Sequence, residues 1–132
     1  EIWAMKSITK NLMKHKNQSI YVQAERDIMA SINNDWIVQL QCSFQDHHSL
    51  YMVMEFLPGG DLMGLLIKEE KFSEDTTRFY ISEIIEALYC VHSMGYIHRD
   101  LKPDNILIDQ FGHLKLTDLG LTKKIHFTPE YF

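Results

Sequence analysis

The chain has 132 residues, 45% of them hydrophobic, and carries a formal net charge of -5 from 13 basic and 18 acidic side chains. That suffices for one modest globular unit, whose folding hides roughly two-thirds of the surface that the unfolded chain exposes. The mild acidity and the lack of a basic run set nucleic acid aside as the main partner, and no run of ~18 apolar residues offers a membrane span.

In chain order, residues 3–6 read as a strand end, and residues 17–31 as an amphipathic helix. On that helix Val22, Met29 and Ile32 share one face at helical spacing, with Glu25 among them. Val38, Leu40, Cys42 and Phe44 then alternate with Gln39, Gln41 and Ser43, the period of a half-buried strand. Residues 45–49 form a polar turn, and residues 50–56 a returning apolar strand. Leu57-Pro58-Gly59-Gly60-Asp61 is the one composition break. Ser73 is placed to cap a long helix whose buried stripe is Tyr80, Ile84, Leu88 and Val91, and Gly95 supplies a left-handed stop. Residues 106–108 and 114–116 flank Asp109-Gln110-Phe111-Gly112 as a hairpin. The expectation is a small sheet carrying one helix, followed by a mainly helical half.

Glu1-Ile2-Trp3-Ala4-Met5-Lys6 has neither the basic flank nor the apolar core of an export signal. Cys42 and Cys90 lie in apolar surroundings without paired spacing, the pattern of buried free thiols in a reducing compartment. Seven histidines are present, but no pair has zinc-like spacing with a Cys or carboxylate.

The chemistry concentrates between the long helix and the hairpin, in Ile97-His98-Arg99-Asp100-Leu101-Lys102-Pro103-Asp104-Asn105. One short loop there carries an Asp that can accept a hydroxyl proton, a Lys that can touch a phosphate and an Asn that can hold a metal ion. Asp118-Leu119-Gly120, directly after the hairpin, adds a second oxygen ligand. The bland alternative is a polar loop whose Asp and Asn only form turns.

These motifs resemble the catalytic loop and metal-binding motif of eukaryotic Ser/Thr protein kinases. Ala4-Met5-Lys6 resembles the strand whose Lys touches the ATP phosphates, and 23–28 the helix whose Glu pairs with it. A carboxylate on an apolar stripe needs a cationic partner or a shifted pKa, which also favours a Lys6–Glu25 pair. Met54-Glu55-Phe56-Leu57-Pro58-Gly59-Gly60-Asp61, Phe44-Gln45-Asp46 and Arg78-Phe79-Tyr80 are similar to the AGC group, nearest the NDR/LATS branch.

The resemblance implies an α+β, bilobal protein-kinase-like fold, truncated, with a partial N-lobe over 1–57 and a partial C-lobe over 58–132. It implies ATP and Mg2+ as cofactors, with Asp100, Lys102, Asn105, Lys6 and Glu25 as catalytic residues. Asn105 and Asp118 would hold the metal. Around the nucleotide it implies the Glu55 carbonyl and Leu57 amide at the adenine edge, Met54 at the back, and Ala4 and Leu107 about the ring. For Met54 core packing is an equal reading. Asp61 would face ribose or a basic substrate residue, or cap a helix. His98 is expected to pack beside Leu119 beneath the loop.

Departures are equally specific. The Gly-rich phosphate loop would precede Trp3, Leu119 stands where Phe is usual, and Thr128-Pro129-Glu130-Tyr131 follows Gly120 after an unusually short segment. By resemblance Thr128 would contact Asp100 and Lys102. Arg99 is left without an evident activation-segment phosphate, and Thr122 is the other hydroxyl residue between Gly120 and Thr128. The expected partners are a protein substrate with a Ser/Thr acceptor and a Mob-type coactivator bound outside this segment. The expected location is the cytoplasm, and also the nucleus. No turnover is expected from these residues alone. The alternative is a catalytically inactive, kinase-derived binding module or a truncated product.

Overall fold

A computed structural model describes residues 1–15 and 19–125. Strand β1 (Trp3–Thr9) leads into a short helix α1 (Lys10–His15), and helix α2 (Ser19–Ser31) precedes strands β2 (Leu40–Gln45) and β3 (Ser49–Glu55). Helices α3 (Leu62–Glu69) and α4 (Glu74–Ser93) come next. The remaining strands are β4 (Tyr96–Ile97), β5 (Ile106–Ile108), β6 (Leu114–Leu116) and β7 (Lys123–Lys124).

The first sheet is antiparallel in the order β1-β3-β2. On β1, Ala4, Lys6 and Ile8 turn inward while Trp3, Met5 and Ser7 are exposed, the two-residue alternation of a pleated strand. The strand outruns the expected 3–6 because Ser7, Ile8 and Thr9 stay in register with Tyr51, Leu50 and Ser49. Helix α2 presents Val22, Glu25, Ile28 and Met29 to the interior. Residues 17 and 18, at the start of the expected helix, lie outside the described residues.

Two expectations in this half are corrected. The alternation from Val38 to Phe44 does not give a half-buried strand: Val38 is buried, but β2 from Gln41 onward is exposed, Phe44 at 52%. The register shifts between Leu40 and Cys42, and β2 is an edge strand with an uncovered face. Phe44 instead stacks on Tyr51 with ring centroids 4.9 Å apart. Cys42 is accordingly exposed and not buried, whereas Cys90 on α4 is buried; both thiols are free.

The helical half begins with two caps. Asp61 is the N-cap of α3, its Oδ1 accepting from the Gly64 amide at 2.7 Å, and Ser73 caps α4 by accepting from the Thr76 amide. The helix-cap reading of Asp61 is thus the one that its hydrogen bond shows. Helix α4 closes just before Gly95, whose φ of +79° suits a residue without Cβ. Its inner face is completed by Glu83, Ala87 and Cys90 beside Val91. The β5–β6 hairpin pairs Ile106–Leu116, Leu107–Lys115 and Ile108–Leu114 over the expected residues.

Among the described residues the larger hydrophobic cluster joins Ile28 and Met29 of α2 to Val91 of α4 and to Leu114, Leu116 and Leu119, and a smaller one gathers Met13, Val22, Leu50 and Met52. Among the described residues no helix is long and apolar enough to cross a membrane.

Gly59 marks the closest backbone approach. It donates to the Ile108 carbonyl at 2.9 Å, and a Cβ there would stand 2.6 Å from that oxygen and 2.7 Å from the Ile108 Cβ. Neither neighbour is a flexible chain end, so Gly59→Ala should cost about 1–3 kcal/mol by overpacking. A urea titration checks this, and an unchanged midpoint would refute the close approach.

A second tie fixes the hairpin to α4. The buried Glu83 carboxylate accepts from the Leu114 amide at 2.8 Å and lies 2.6 Å from His113 Nδ1. The hydrogen bond and charge of Glu83, with help from Asp109, hold His113 above the ordinary imidazole value of 6.5. A raised pKa stabilises the fold fully below 6.5, and that contribution is lost as pH rises through the folded value. Stability should therefore fall from pH 6 to pH 9 in the wild type, and His113→Gln should flatten the fall. Parallel profiles from denaturant melts would rule the linkage out.

Candidate active site

Lys6 projects from the inner face of β1, and Glu25 from the buried face of α2, one helical turn from Val22 and Met29. The two meet: Lys6 Nζ lies 2.8 Å from both Glu25 carboxylate oxygens. Glu25 is 3% exposed, and burial pushes its pKa up against the opposing pull of the Lys6 ammonium; the Asp118 charge adds to the rise. Lys6 also stands 3.8 Å from Asp118 Oδ1, so one ammonium serves two carboxylates.

Asp118 comes after β6 in the left-handed region, φ 59° and ψ 67°, a conformation that Asp tolerates better than most side chains. The next residue sets its orientation. Leu119 is fully buried in the main core, and burying such a side chain contributes about 2 kcal/mol. Leu in place of Phe therefore still anchors the turn, and Asp118 remains 47% exposed toward the cavity.

The loop from His98 to Asn105 is tied from beneath. The Asp100 amide donates to His98 Nδ1 at 3.2 Å, so the ring proton sits on Nε2, which lies 3.2 Å from the Thr117 carbonyl. His98, 1% exposed, thus links the loop to the residue before Asp118. Asn105 Nδ2 donates to both the Asp100 carbonyl and Asp100 Oδ2 at 3.0 Å, and Lys102 Nζ lies 3.3 Å from the same Oδ2. Asp100 Oδ1 has no such partner among the described residues. Arg99 adopts φ 66°, held there by a 2.6 Å bond from its Nε to the Leu121 carbonyl. Positive φ at a long side chain costs about 1–2 kcal/mol, which the surrounding loop must offset.

These groups border one cavity of about 520 Å³, lined by Lys6, Glu25, Asp100, Asp118 and Gly120, with Ile8, Tyr21, Val22 and Leu121. Lys102 and Asn105 do not line it, but both contact Asp100, which does. Ala4, Met54, Leu57, Leu107 and Asp61 do not line it. Ala4 lies opposite Met54 in the β1–β3 register, and Asp61 bridges Leu107, so this set runs along the connection between the two halves. The Leu57 amide makes no hydrogen bond among the described residues. Tyr21, Ile8 and Val22 were not foreseen as lining residues, although the Val22–Glu25 spacing placed Val22 on the right helix face. Thr122 is buried, its hydroxyl without a partner among the described residues. Thr128 lies outside the described residues.

The donor set is one that magnesium accepts. With the Asn105 amide nitrogen committed to Asp100, its carbonyl oxygen is the free acceptor, and Asp118 adds a carboxylate. Among the described residues no three His, Cys, Asp or Glu side chains gather into a metal site. A magnesium ion would therefore depend on phosphate oxygens and water as well, which is its usual habit.

Comparison with known proteins settles the family. The model of the protein kinase domain matches residues 1–131. The chain belongs to the protein kinase domain family. It is 58% identical over 126 residues to the serine/threonine-protein kinase cot-1 of Neurospora crassa, covering 96% of this chain and 21% of that protein. It is 56% identical over 128 residues to the serine/threonine-protein kinase CBK1 of Pneumocystis carinii, covering 97% and 25%. To the serine/threonine-protein kinase sax-1 of Caenorhabditis elegans it is 52% identical over 133 residues, covering 98% and 28%. These matches bear out the resemblance to Ser/Thr protein kinases read from the motifs, on the NDR/LATS side of the AGC group. The chain spans between a fifth and under a third of the length of these relatives.

Proposed function

We propose that the protein containing this chain is an ATP-dependent Ser/Thr protein kinase, with residues 1–57 and 58–132 forming parts of its two lobes. The observation that carries the reading is the meeting of Lys6, Glu25, Asp100 and Asp118 at one cavity. In that reading Lys6, held straight by Glu25, binds phosphate oxygens of the nucleotide. Asp100 orients the acceptor hydroxyl through its free Oδ1 and takes its proton as the new O–P bond forms and the β–γ bridge breaks. Lys102 and Asn105 fix Asp100 Oδ2, and Lys102 also faces the transferred phosphoryl group. Magnesium, held by Asn105 and Asp118, would offset phosphate charge. The Glu55 carbonyl and Leu57 amide are the adenine readers, with Ala4, Met54 and Leu107 about the ring and Asp61 near the ribose.

The reading extends to a protein substrate and, through the NDR/LATS resemblance, to a Mob-type coactivator bound outside this segment, in the cytoplasm and also the nucleus. Radiolabel transfer from ATP to a Ser/Thr acceptor protein, run on the full-length protein with and without magnesium, tests it. Magnesium-dependent transfer is expected. No transfer and no thermal shift with ATP and magnesium would sink it.

A further inference from the structure

Glu55 ends β3 and Lys115 occupies the middle of β6, sixty residues apart, yet the two form a bidentate ion pair with Lys115 Nζ at 2.9 and 3.0 Å from the carboxylate oxygens. Their side chains are only 24% and 14% exposed. A lysine so covered is rare unless paired. Leu114 and Leu116 point into the core, so the pleat sends Lys115 to the other face of the hairpin, toward β3.

The carboxylate does more than neutralise. Glu55 Oε1 also accepts from the Gln39 amide at 2.8 Å, and the Glu55 amide donates to the Gln39 carbonyl. Gln39 Nε2 in turn grips the Asn34 and Ile37 carbonyls. The same connector is stitched to β6, Val38 to the Leu116 carbonyl at 3.1 Å and Leu116 to the Trp36 carbonyl at 2.8 Å. Three segments thus share one junction: the end of β3, the connector between α2 and β2, and β6.

The junction sits two residues before Leu57 and three before Asp118. A partly buried ion pair seldom stabilises more than apolar residues of the same volume would, so its value lies in fixing geometry. We infer that the Glu55–Lys115 pair is a positioning device, holding the backbone that reads the base in one frame with the carboxylate that faces the phosphates. Its consequence is nucleotide affinity, and it rests on the kinase reading above.

The test uses the full-length protein and initial rates at varied ATP and saturating acceptor peptide. Lys115→Met and Glu55→Gln should each raise the KM for ATP by about 5- to 10-fold, with a smaller effect on kcat. The double variant should be no worse than the weaker single one, and Lys115→Arg should stay within about 2-fold of wild type. Glu55→Gln keeps the acceptor for the Gln39 amide, so it carries the test if Lys115→Met does not fold. An unchanged KM for ATP in a folded variant, or a loss confined to kcat as from fewer active molecules, overturns the inference while leaving the kinase reading intact. A wild type that neither binds ATP nor transfers phosphate overturns both.

Discussion

Asp100→Asn in the full-length protein should lower kcat by about 10²- to 10⁴-fold, the usual worth of a positioned general base. The substitution is nearly isosteric and leaves the backbone carbonyl that Asn105 Nδ2 grips, so the loop should keep its shape. It removes the negative charge and the proton acceptor, while Lys102 loses its ion-pair partner at 3.3 Å. The KM for ATP should change little, because Lys6 and Asp118 remain. Rates measured at saturating ATP and acceptor, with a thermal melt beside them, decide the matter. A variant with wild-type kcat would remove Asp100 from the chemistry.

Lys6→Met has the second large effect, on stability as well as turnover. It strips the cation from a glutamate that is 3% exposed and whose pKa burial already raises. Leaving such a charge unpaired costs several kcal/mol, but Glu25 has an escape, since it can take up a proton. A carboxylate raised further above its ordinary value of 4.5 contributes stability below that value and loses it as pH rises through the folded pKa. The destabilisation by Lys6→Met should therefore be about 1–3 kcal/mol near neutral pH and shrink toward pH 5. Lys6→Met/Glu25→Gln should recover most of the stability at pH 7 but, on the proposed reading of Lys6 as the phosphate ligand, none of the turnover. Denaturant melts at pH 5 and pH 7.5 check the first statement. A cost independent of pH, or no gain from the second substitution, would mean that Glu25 does not carry the charge.

Much of the fold was legible because local signals agreed with one another. Ser73 and Gly95 bracket α4, and the hairpin strands fall on the expected residues. Val22, Glu25 and Met29 share a helix face simply because 3.6 residues make a turn. Motif spacing likewise marks Asp100, Lys102, Asn105 and Asp118, because the loop and the turn that carry them are local. The misreadings have a common origin. Whether Cys42 and Phe44 are covered depends on which segment lies against the outer face of β2, and period-two alternation marks a face without naming its cover. Helix α3 was marked only by its Asp61 cap, because its eight residues, Leu62–Glu69, are mostly apolar and carry a Gly, so they name neither a length nor an exposed face.

Order along the chain thus determined which side chains could do chemistry and which local shapes carry them, since capping, pleat and turn preferences act over a few residues. The Lys6–Glu25 pair was legible in the sequence, but tertiary structure alone decided that Lys6 also approaches Asp118, that Leu119 anchors as Phe would, and that Lys115 crosses to Glu55. Each of those contacts joins segments brought together by burial of a shared core, and the free energy of that burial is set by the whole assembly of faces and by no single stretch of residues.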